Sequence, residues 1–185
     1  MKYLTEYGLA IRGLSQHHAI DPIDFDEQCD GSLPLEDILH PDSNLILLFR
    51  DIDRSKAHVW TLTNAYKKHA RRVLRILGLE EEIEGLVYCD YTNTDFTCKP
   101  HQAFFEMALA QAGISDPSRS YFVDDSLKNV QAAKALGWGS CVYFLEHDDP
   151  EAQVSHAPFE GVDHTIHDLQ QLRTIWPEVF RSATS

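Results

Sequence analysis

Residues 120–145, SYFVDDSLKNVQAAKALGWGSCVYFL, decide the fold of this chain. A strand-like apolar run at 120–123 is followed by a helical stretch that ends at Gly137, and then by a second strand-like run at 140–145. Neither run alternates apolar with polar residues, which is typical of strands that are covered on both faces. A strand, a helix and another strand in this order indicate a βαβ unit, and therefore a parallel sheet.

The same alternation of strands and helices extends in both directions from this unit. Further strands are predicted at 58–62, 86–89 and 164–166, and further helices at 66–77, 101–112 and 168–175. Before residue 43 the pattern is one of short helical pieces interrupted by Pro22, Pro34 and Pro41. We therefore predict an α/β fold, with a helical segment at 1–42 and a core at 43–185 in which helices cover both faces of a parallel sheet.

Composition narrows the classes of function that this chain can serve. The 185 residues carry 29 acidic and 16 basic side chains, and the resulting net charge of −13 opposes binding to nucleic acid or to an anionic membrane. No apolar run approaches the eighteen or so residues of a membrane span, and no signal peptide is visible. The four cysteines lack metal-binding spacing and are interpreted as reduced thiols. These features predict a cytoplasmic or nuclear protein, and they leave its oligomeric state open.

Reactive side chains follow three successive strands of the predicted sheet. Thr63 and Asn64 follow the first strand, Lys99 follows the loop after the second, and Asp124 and Asp125 end the third. Ligands of open parallel sheets bind at the carboxyl ends of the strands. Two carboxylates suit Mg²⁺, and a hydroxyl and an ammonium beside it suit a phosphoryl group. Each residue alone could instead be a helix cap or a solvated side chain, but their joint placement favours a site for a small phosphate compound.

Three segments resemble motifs II, III and IV of the haloacid dehalogenase (HAD) superfamily. They are WTLTNAYKKHA (60–70), YCDYTNTDFTCKPHQAFFEMAL (88–109) and YFVDDSLKNVQAAKALGW (121–138). Together with EYGLAIRGL (6–14) and SLPLEDIL (32–39), they resemble more closely the pyrimidine 5′-nucleotidase branch, whose members dephosphorylate UMP, CMP and related nucleotides. The resemblance implies a HAD-like Rossmannoid core with a small helical cap, and a Mg²⁺-dependent phosphatase acting on nucleoside monophosphates.

The resemblance also implies roles for individual residues. Thr63, with Asn64, would bind the phosphoryl oxygens, and Lys99 would neutralise the charge of the nucleophile and the phosphate. Asp125 would ligate Mg²⁺, and Asp124 would orient Lys99 or a metal-bound water. Four residues are predicted to contact the substrate: Tyr7, Arg12, Tyr66 and Asn129.

One motif of the HAD family is not found in this sequence. Its phosphatases carry DxDx[TV] on a strand ahead of the cap, where the first Asp is the nucleophile and the second is the general acid–base. The string LILLFRDIDRS (45–55) contains Asp51-x-Asp53, but Arg50 precedes the first Asp and only ten residues separate Asp53 from Thr63. We interpret this stretch as an amphipathic helix with solvated aspartates.

The missing motif leads to two hypotheses. In the family, the motif I strand lies between the strands of motifs II and IV, and its loss would leave two unpaired edges. In the first hypothesis the sequence is an N-terminally truncated nucleotidase, such as a fragment, an alternative start or an incomplete gene model, and is inactive alone. In the second it is a non-catalytic module that binds a phosphate or a nucleotide.

Other enzyme classes fit the sequence less well. A response-regulator receiver also combines an acidic pair, a Thr and a Lys, but there the acidic pair comes first, whereas here the order is Thr63, Lys99, Asp124. The GxSxG, Walker A and GxGxxG patterns are absent from the sequence. The basic helix at 66–77 is interpreted as a solvated face balanced by the acidic stretch at 80–84.

Overall fold

The computed structural model describes residues 2–93, 95–146 and 159–182, and it confirms the predicted α/β fold. Five short strands lie within two residues of their predicted positions: β1 Trp60–Leu62, β2 Gly85–Val87, β3 Tyr121–Asp124, β4 Ser140–Phe144 and β5 His164–Ile166. All the ladders between them are parallel. The apolar runs were therefore correctly interpreted as parallel strands. Burial is as predicted only for β4, whose three central residues are buried, whereas all three residues of β1 are only partly buried.

Helices precede and connect these strands. They are α1 Lys2–Tyr7, α2 Ala10–His18, α3 Pro22–Phe25, α4 Leu35–Ile38, α5 Ser43–Arg50, α6 Lys67–Ile76, α7 Gln102–Gln111, α8 Leu127–Ala135 and α9 Leu172–Ile175. The predicted helix at 168–175 is divided, because a capping box between Asp168 and Gln171 tightens its start into a 3₁₀ turn. Within the described ranges, none of these helices has both the length and the apolar character needed to cross a membrane.

The strands form two separate sheets. One contains β1 and β2, and the other contains the strands in the order β3-β4-β5. Among the described residues, neither β1 nor β3 has a ladder partner on its second side, so each presents an open edge. The expected unpaired edges of the motif II and motif IV strands are therefore present in the structure.

The three-stranded sheet is covered on both faces, as predicted. On one face Cys141 and Tyr143 pack with Phe105 of α7 and Val130 of α8. On the other face Val142 packs in a second cluster, whose further buried members are Leu48, Ile166, Leu172, Trp176 and Phe180. Successive residues of β4 thus alternate between two apolar layers, which explains the lack of polar alternation in its sequence.

Helix α2 shares a buried apolar cluster with the β1–β2 sheet. Ile11 of α2 is buried in one cluster with Val87 of β2 and Phe104 of α7. The boundary at residue 42 between a cap and a core stays a prediction.

Helix α5 confirms the helical part of the interpretation of the rejected DxD string, but the predicted solvation of its aspartates is wrong, since both are partly buried and paired. The helix ends at Arg50, Asp51 lies 2.7 Å from the guanidinium of Arg173, and the Asp53 carboxylate accepts hydrogen bonds from the backbone and hydroxyl of Ser55. Both aspartates are therefore engaged locally at the end of α5.

Candidate functional site

Lys99 lies between the ends of β1 and β3. Its ammonium donates to the carbonyl of Leu62 at 2.7 Å and to Oδ2 of Asp124 at 2.6 Å. The side chains of Lys99 and Asp124 are 9% and 5% exposed, so this ion pair is almost fully shielded from water. The structure therefore brings the ends of the motif II, III and IV segments together, as the sequence predicts.

Asp124 is held by three donors. Besides Lys99, the backbone N–H of Ser126 donates to its Oδ1 at 2.9 Å, and Nδ2 of Asn129 donates to the same oxygen at 2.8 Å. Asn129 is itself buried, and its contact with Asp124 accounts for its placement. A buried carboxylate with this set of partners is fixed in one orientation, and it holds the ammonium of Lys99 in turn.

The adjacent Asp125 is exposed. Among the described residues no group of three or more His, Cys, Asp or Glu side chains forms a ready metal cage. Mg²⁺ does not require such a cage, because it binds through one or two carboxylates and completes its shell with waters and substrate phosphate. Asp125 is an exposed carboxylate of the kind that such a shell uses, and Asp124 keeps one acceptor position beyond its three donors.

Thr63 closes a tight turn after β1. Its Oγ1 accepts the backbone N–H of Ala65 at 3.1 Å, and its own N–H donates to the carbonyl of Val87 at 2.9 Å. Since the hydroxyl oxygen is the acceptor in this turn, the hydroxyl proton remains able to donate to an anion.

Asn64 lies next to Thr63, but its side chain contacts the main chain of Lys99. Oδ1 accepts the Lys99 N–H at 2.8 Å, and Nδ2 donates to the Lys99 carbonyl at 3.0 Å. The phosphate-binding role predicted for Asn64 is therefore not the one that its side chain performs in this structure.

The other predicted substrate contacts lie in internal networks. Tyr66 is buried and stacks on Tyr91, with ring centroids 5.2 Å apart. The Tyr7 hydroxyl lies 2.7 Å from Nε2 of His17. Arg12 donates to the Tyr7 carbonyl at 3.3 Å, and its Nη1 lies 2.8 Å from Nε2 of His101. These contacts give Tyr66, Tyr7 and Arg12 structural partners within the chain.

A pair of buried thiols, which the sequence did not predict, lies beside Lys99. Cys89 and Cys98 are both fully buried, and Nη1 of Arg12 lies 3.9 Å from Sγ of Cys98. A hydrogen bond from Cys89, supported by the Arg12 guanidinium, lowers the pKa of Cys98 to about 7. The same hydrogen bond, together with burial, raises the pKa of Cys89. The spacing of these cysteines gave no signal, because the loop between them brings the two thiols together.

Comparison with known proteins agrees with this geometry. A family model described as haloacid dehalogenase-like hydrolase matches residues 3–137. Phosphate metabolism protein 8 of Saccharomyces cerevisiae is 36% identical over 159 residues, which are 82% of this chain and 50% of that protein. The chain thus spans about half the length of this curated relative.

Solved structures show the same fold. A HAD phosphatase from Thermococcus onnurineus superposes with a TM-score of 0.61 at 22% identity, over 88% of this chain and 73% of that one. A HAD family enzyme from Bacteroides thetaiotaomicron, crystallised as a mutant with magnesium and inorganic phosphate, gives a TM-score of 0.51 at 24% identity, over 82% and 84% of the two chains. Identities this low support a common fold.

Proposed function

The chain belongs to the haloacid dehalogenase-like hydrolase family, and from this premise we propose that it provides most of a phosphatase site for nucleoside 5′-monophosphates of the UMP and CMP type. The observation that carries the proposal is the position of Lys99, whose ammonium joins the end of β1 to the carboxylate that ends β3. A shielded cation at the carboxyl ends of parallel strands is suited to stabilising the charge of a phosphoryl group.

In the proposed reaction, each residue of this chain acts on the charge of the phosphate. The Thr63 hydroxyl donates to a phosphoryl oxygen, since its own oxygen already accepts the Ala65 N–H. Lys99 neutralises negative charge that accumulates during transfer, and Asp124 keeps its ammonium in place. Asp125, with Asp124, would hold Mg²⁺, which when bound supplies Lewis-acid stabilisation of the phosphoryl oxygens.

The nucleophile is proposed to come from a further polypeptide segment. The phosphoryl group would pass to a carboxylate of a DxDx[TV] strand and then to water, while the second Asp of that strand transfers the protons. The open edges of β1 and β3 support this part of the proposal, because an inserted parallel strand would pair with both. Such a strand would end beside the ammonium of Lys99.

Turnover assays on two proteins test this proposal. The 185-residue chain, supplied with Mg²⁺ and either UMP or p-nitrophenyl phosphate, is expected to release no phosphate above the blank. A longer product that includes an upstream DxDx[TV] segment is expected to hydrolyse UMP or CMP. In that product Asp125→Asn should lower kcat/KM by about 100-fold, because it removes a proposed ligand of Mg²⁺ and with it the stabilisation of the phosphoryl oxygens. Asp37→Asn, at an exposed position of α4, is the matched control.

Two results would contradict the proposal. One is turnover by the 185-residue chain that Asp51→Asn abolishes, which would place the nucleophile at the end of α5. The other is the absence of any DxDx[TV] segment encoded upstream.

The alternative is a module that binds nucleotides without hydrolysing them. It is favoured by the partner of Lys99. Among the described residues, the carboxylate that the Lys99 ammonium contacts is Asp124, which is proposed to position Lys99 and hold Mg²⁺ and is not the nucleophile. Calorimetry of the 185-residue chain with UMP, in the presence and absence of Mg²⁺, distinguishes the two functions. Binding by this chain, together with no turnover by the longer product, would support the module.

A further inference from the structure

Asn64 makes a two-point contact with the residue that carries the candidate charge. Its amide oxygen accepts the Lys99 N–H at 2.8 Å, and its amide nitrogen donates to the Lys99 carbonyl at 3.0 Å. Both polar atoms of the side chain therefore bind one residue, which lies 35 positions away along the chain. A paired contact of this kind restricts the rotation and translation of the Lys99 main chain more strongly than a single hydrogen bond.

This restriction matters because of the position of Lys99 in the fold. Lys99 follows the irregular stretch after β2 and precedes α7, so no helix or strand fixes its backbone. Its side chain is long and flexible, yet the ammonium reaches two acceptors at 2.7 Å and 2.6 Å in a shielded position. Holding both contacts requires a main chain that is fixed relative to the end of β1.

Asn64 is anchored on the β1 side of this contact. It directly follows Thr63, whose N–H bonds to Val87 of β2, and its own carbonyl accepts the Tyr91 hydroxyl at 3.4 Å. The amide therefore transmits the position of the β1 end to Lys99. A direct phosphate contact by the same side chain would require at least one of its two bonds to Lys99 to break.

We propose that Asn64 is a positioning residue, which fixes the main chain of Lys99 so that its ammonium lies between Leu62 and Asp124. The proposal deepens the proposed phosphatase function, on which its catalytic consequence rests. Its structural part, the placement of the ammonium, can be measured without any turnover.

The structural test uses the 185-residue chain labelled with ¹⁵N-lysine. In ¹H–¹⁵N NMR spectra recorded at low temperature, the shielded Lys99 ammonium should give a slowly exchanging signal. The loss of this signal in Lys99→Met assigns it to Lys99. Asn64→Ala should abolish or broaden this signal while the protein keeps a cooperative melt. Asn93→Ala is the matched control, because Asn93 also bonds to the backbone through its side chain but lies on an exposed turn.

The catalytic test uses the longer product. There Asn64→Ala should lower kcat by about 10- to 100-fold with little change in KM, since a displaced ammonium weakens transition-state stabilisation more than substrate binding. A rise in KM at constant kcat would instead indicate a phosphate ligand and overturn the proposal. An unchanged Lys99 signal in Asn64→Ala would overturn it as well.

The design separates failure of the proposal from failure of the phosphatase function. If the longer product shows no turnover but Asn64→Ala removes the Lys99 signal, the positioning role stands and the phosphatase function fails. If Asn64→Ala does not fold, Asn64→Asp replaces it, since a carboxylate still accepts the Lys99 N–H but cannot donate to the Lys99 carbonyl. A native Lys99 signal in that variant would count against the two-point contact.

Discussion

At the residue scale, Asp26 is the buried charged group whose environment is least compensated. Its side chain lies almost fully inside the protein, and its Oδ1 has no hydrogen-bond partner in the described part of the chain. Burial, and secondarily the nearby Asp30, raises the pKa of Asp26, although His69 and Lys68 oppose this shift. The ionised form of Asp26 is therefore a source of instability in the folded protein.

Asp26→Asn should stabilise the protein at neutral pH. The substitution keeps the shape of the side chain and removes its charge, so we expect unfolding free energy to increase by about 1 kcal/mol at pH 7. Because the pKa of Asp26 is raised, the penalty is absent at pH values below the ordinary 3.8, grows as pH rises above that value, and is complete once pH exceeds the raised pKa. The gain should therefore shrink at lower pH.

Urea unfolding followed by circular dichroism at pH 7 and at pH 4 measures this gain. Asp24→Asn, at an exposed position of α3, serves as the control and should leave stability nearly unchanged. A loss of stability on Asp26→Asn at pH 7 would mean that the attraction of Asp26 to His69 and Lys68 outweighs its burial.

At the element scale, the basic helix α6 holds the helices of residues 1–42 through ion pairs. Lys68 lies 3.1 Å from Glu27, and Arg72 binds Glu36 and also donates to the carbonyls of Gly31 and Leu33. The sequence predicts that the acidic stretch at 80–84 balances the charge of this helix. That prediction is correct for Arg75, which pairs with Glu80, but wrong for Lys68 and Arg72.

The Arg72–Glu36 contact predicts a specific acid sensitivity. Hydrogen bonds from Arg72 lower the pKa of Glu36 from its ordinary 4.5 to about 2. Since the folded-state pKa is depressed, the stabilising effect is fully present above pH 4.5 and is lost as pH falls toward 2. Glu36→Gln should therefore lower Tm at pH 7 and make part of the decline in Tm below pH 4.5 disappear.

Thermal melts of Glu36→Gln and the unchanged chain between pH 7 and pH 2.5 measure this difference. Glu81→Gln replaces an exposed glutamate outside the contact and should run parallel to the unchanged chain. Because Glu36 is largely exposed, high salt should reduce the effect. An acid profile of Glu36→Gln that matches the unchanged chain would show that this ion pair contributes nothing to stability.

At the scale of the whole molecule, sequence patterns predicted what depends on neighbours along the chain. Apolar runs and glycine stops located the strands and helices, and the strand ends located Thr63, Lys99 and Asp124. Contacts in which a single side chain joins two distant segments are harder to predict from sequence patterns than helices and strands are. Asn64 was predicted to bind the phosphate because it follows Thr63. Its side-chain amide instead bonds to the main chain of Lys99, a contact that depends on the geometry of the loop before Lys99. Arg12 was predicted to contact the substrate, but it contacts the Tyr7 carbonyl and, across 89 positions of the chain, His101.

The two open edges lead to the last prediction, which concerns the molecule as two sheets. The Thr63 N–H donates to the Val87 carbonyl, so the backbone N–H and C=O groups of odd-numbered residues at the end of β1 point toward β2. The Leu62 carbonyl instead points toward Lys99 and the open edge. By the same alternation, the Val123 N–H points away from β4, since the Ser120 carbonyl accepts from Ser140. Among the described residues the Leu62 and Val123 amides therefore lie outside any ladder.

Hydrogen exchange followed by NMR should distinguish these edge amides from their neighbours. The Leu62 and Val123 amides of the 185-residue chain should exchange roughly tenfold or more faster than those of Thr61 and Phe122, which pair within the sheets. In the longer product the same two amides should become protected, because an inserted strand supplies acceptors to both edges at once. Equal protection of all four amides in the 185-residue chain would mean that the edges are already paired in solution, through each other or through a second copy. The proposed insertion would then have to displace that pairing, and the gap beside Lys99 would no longer be open to a nucleophile.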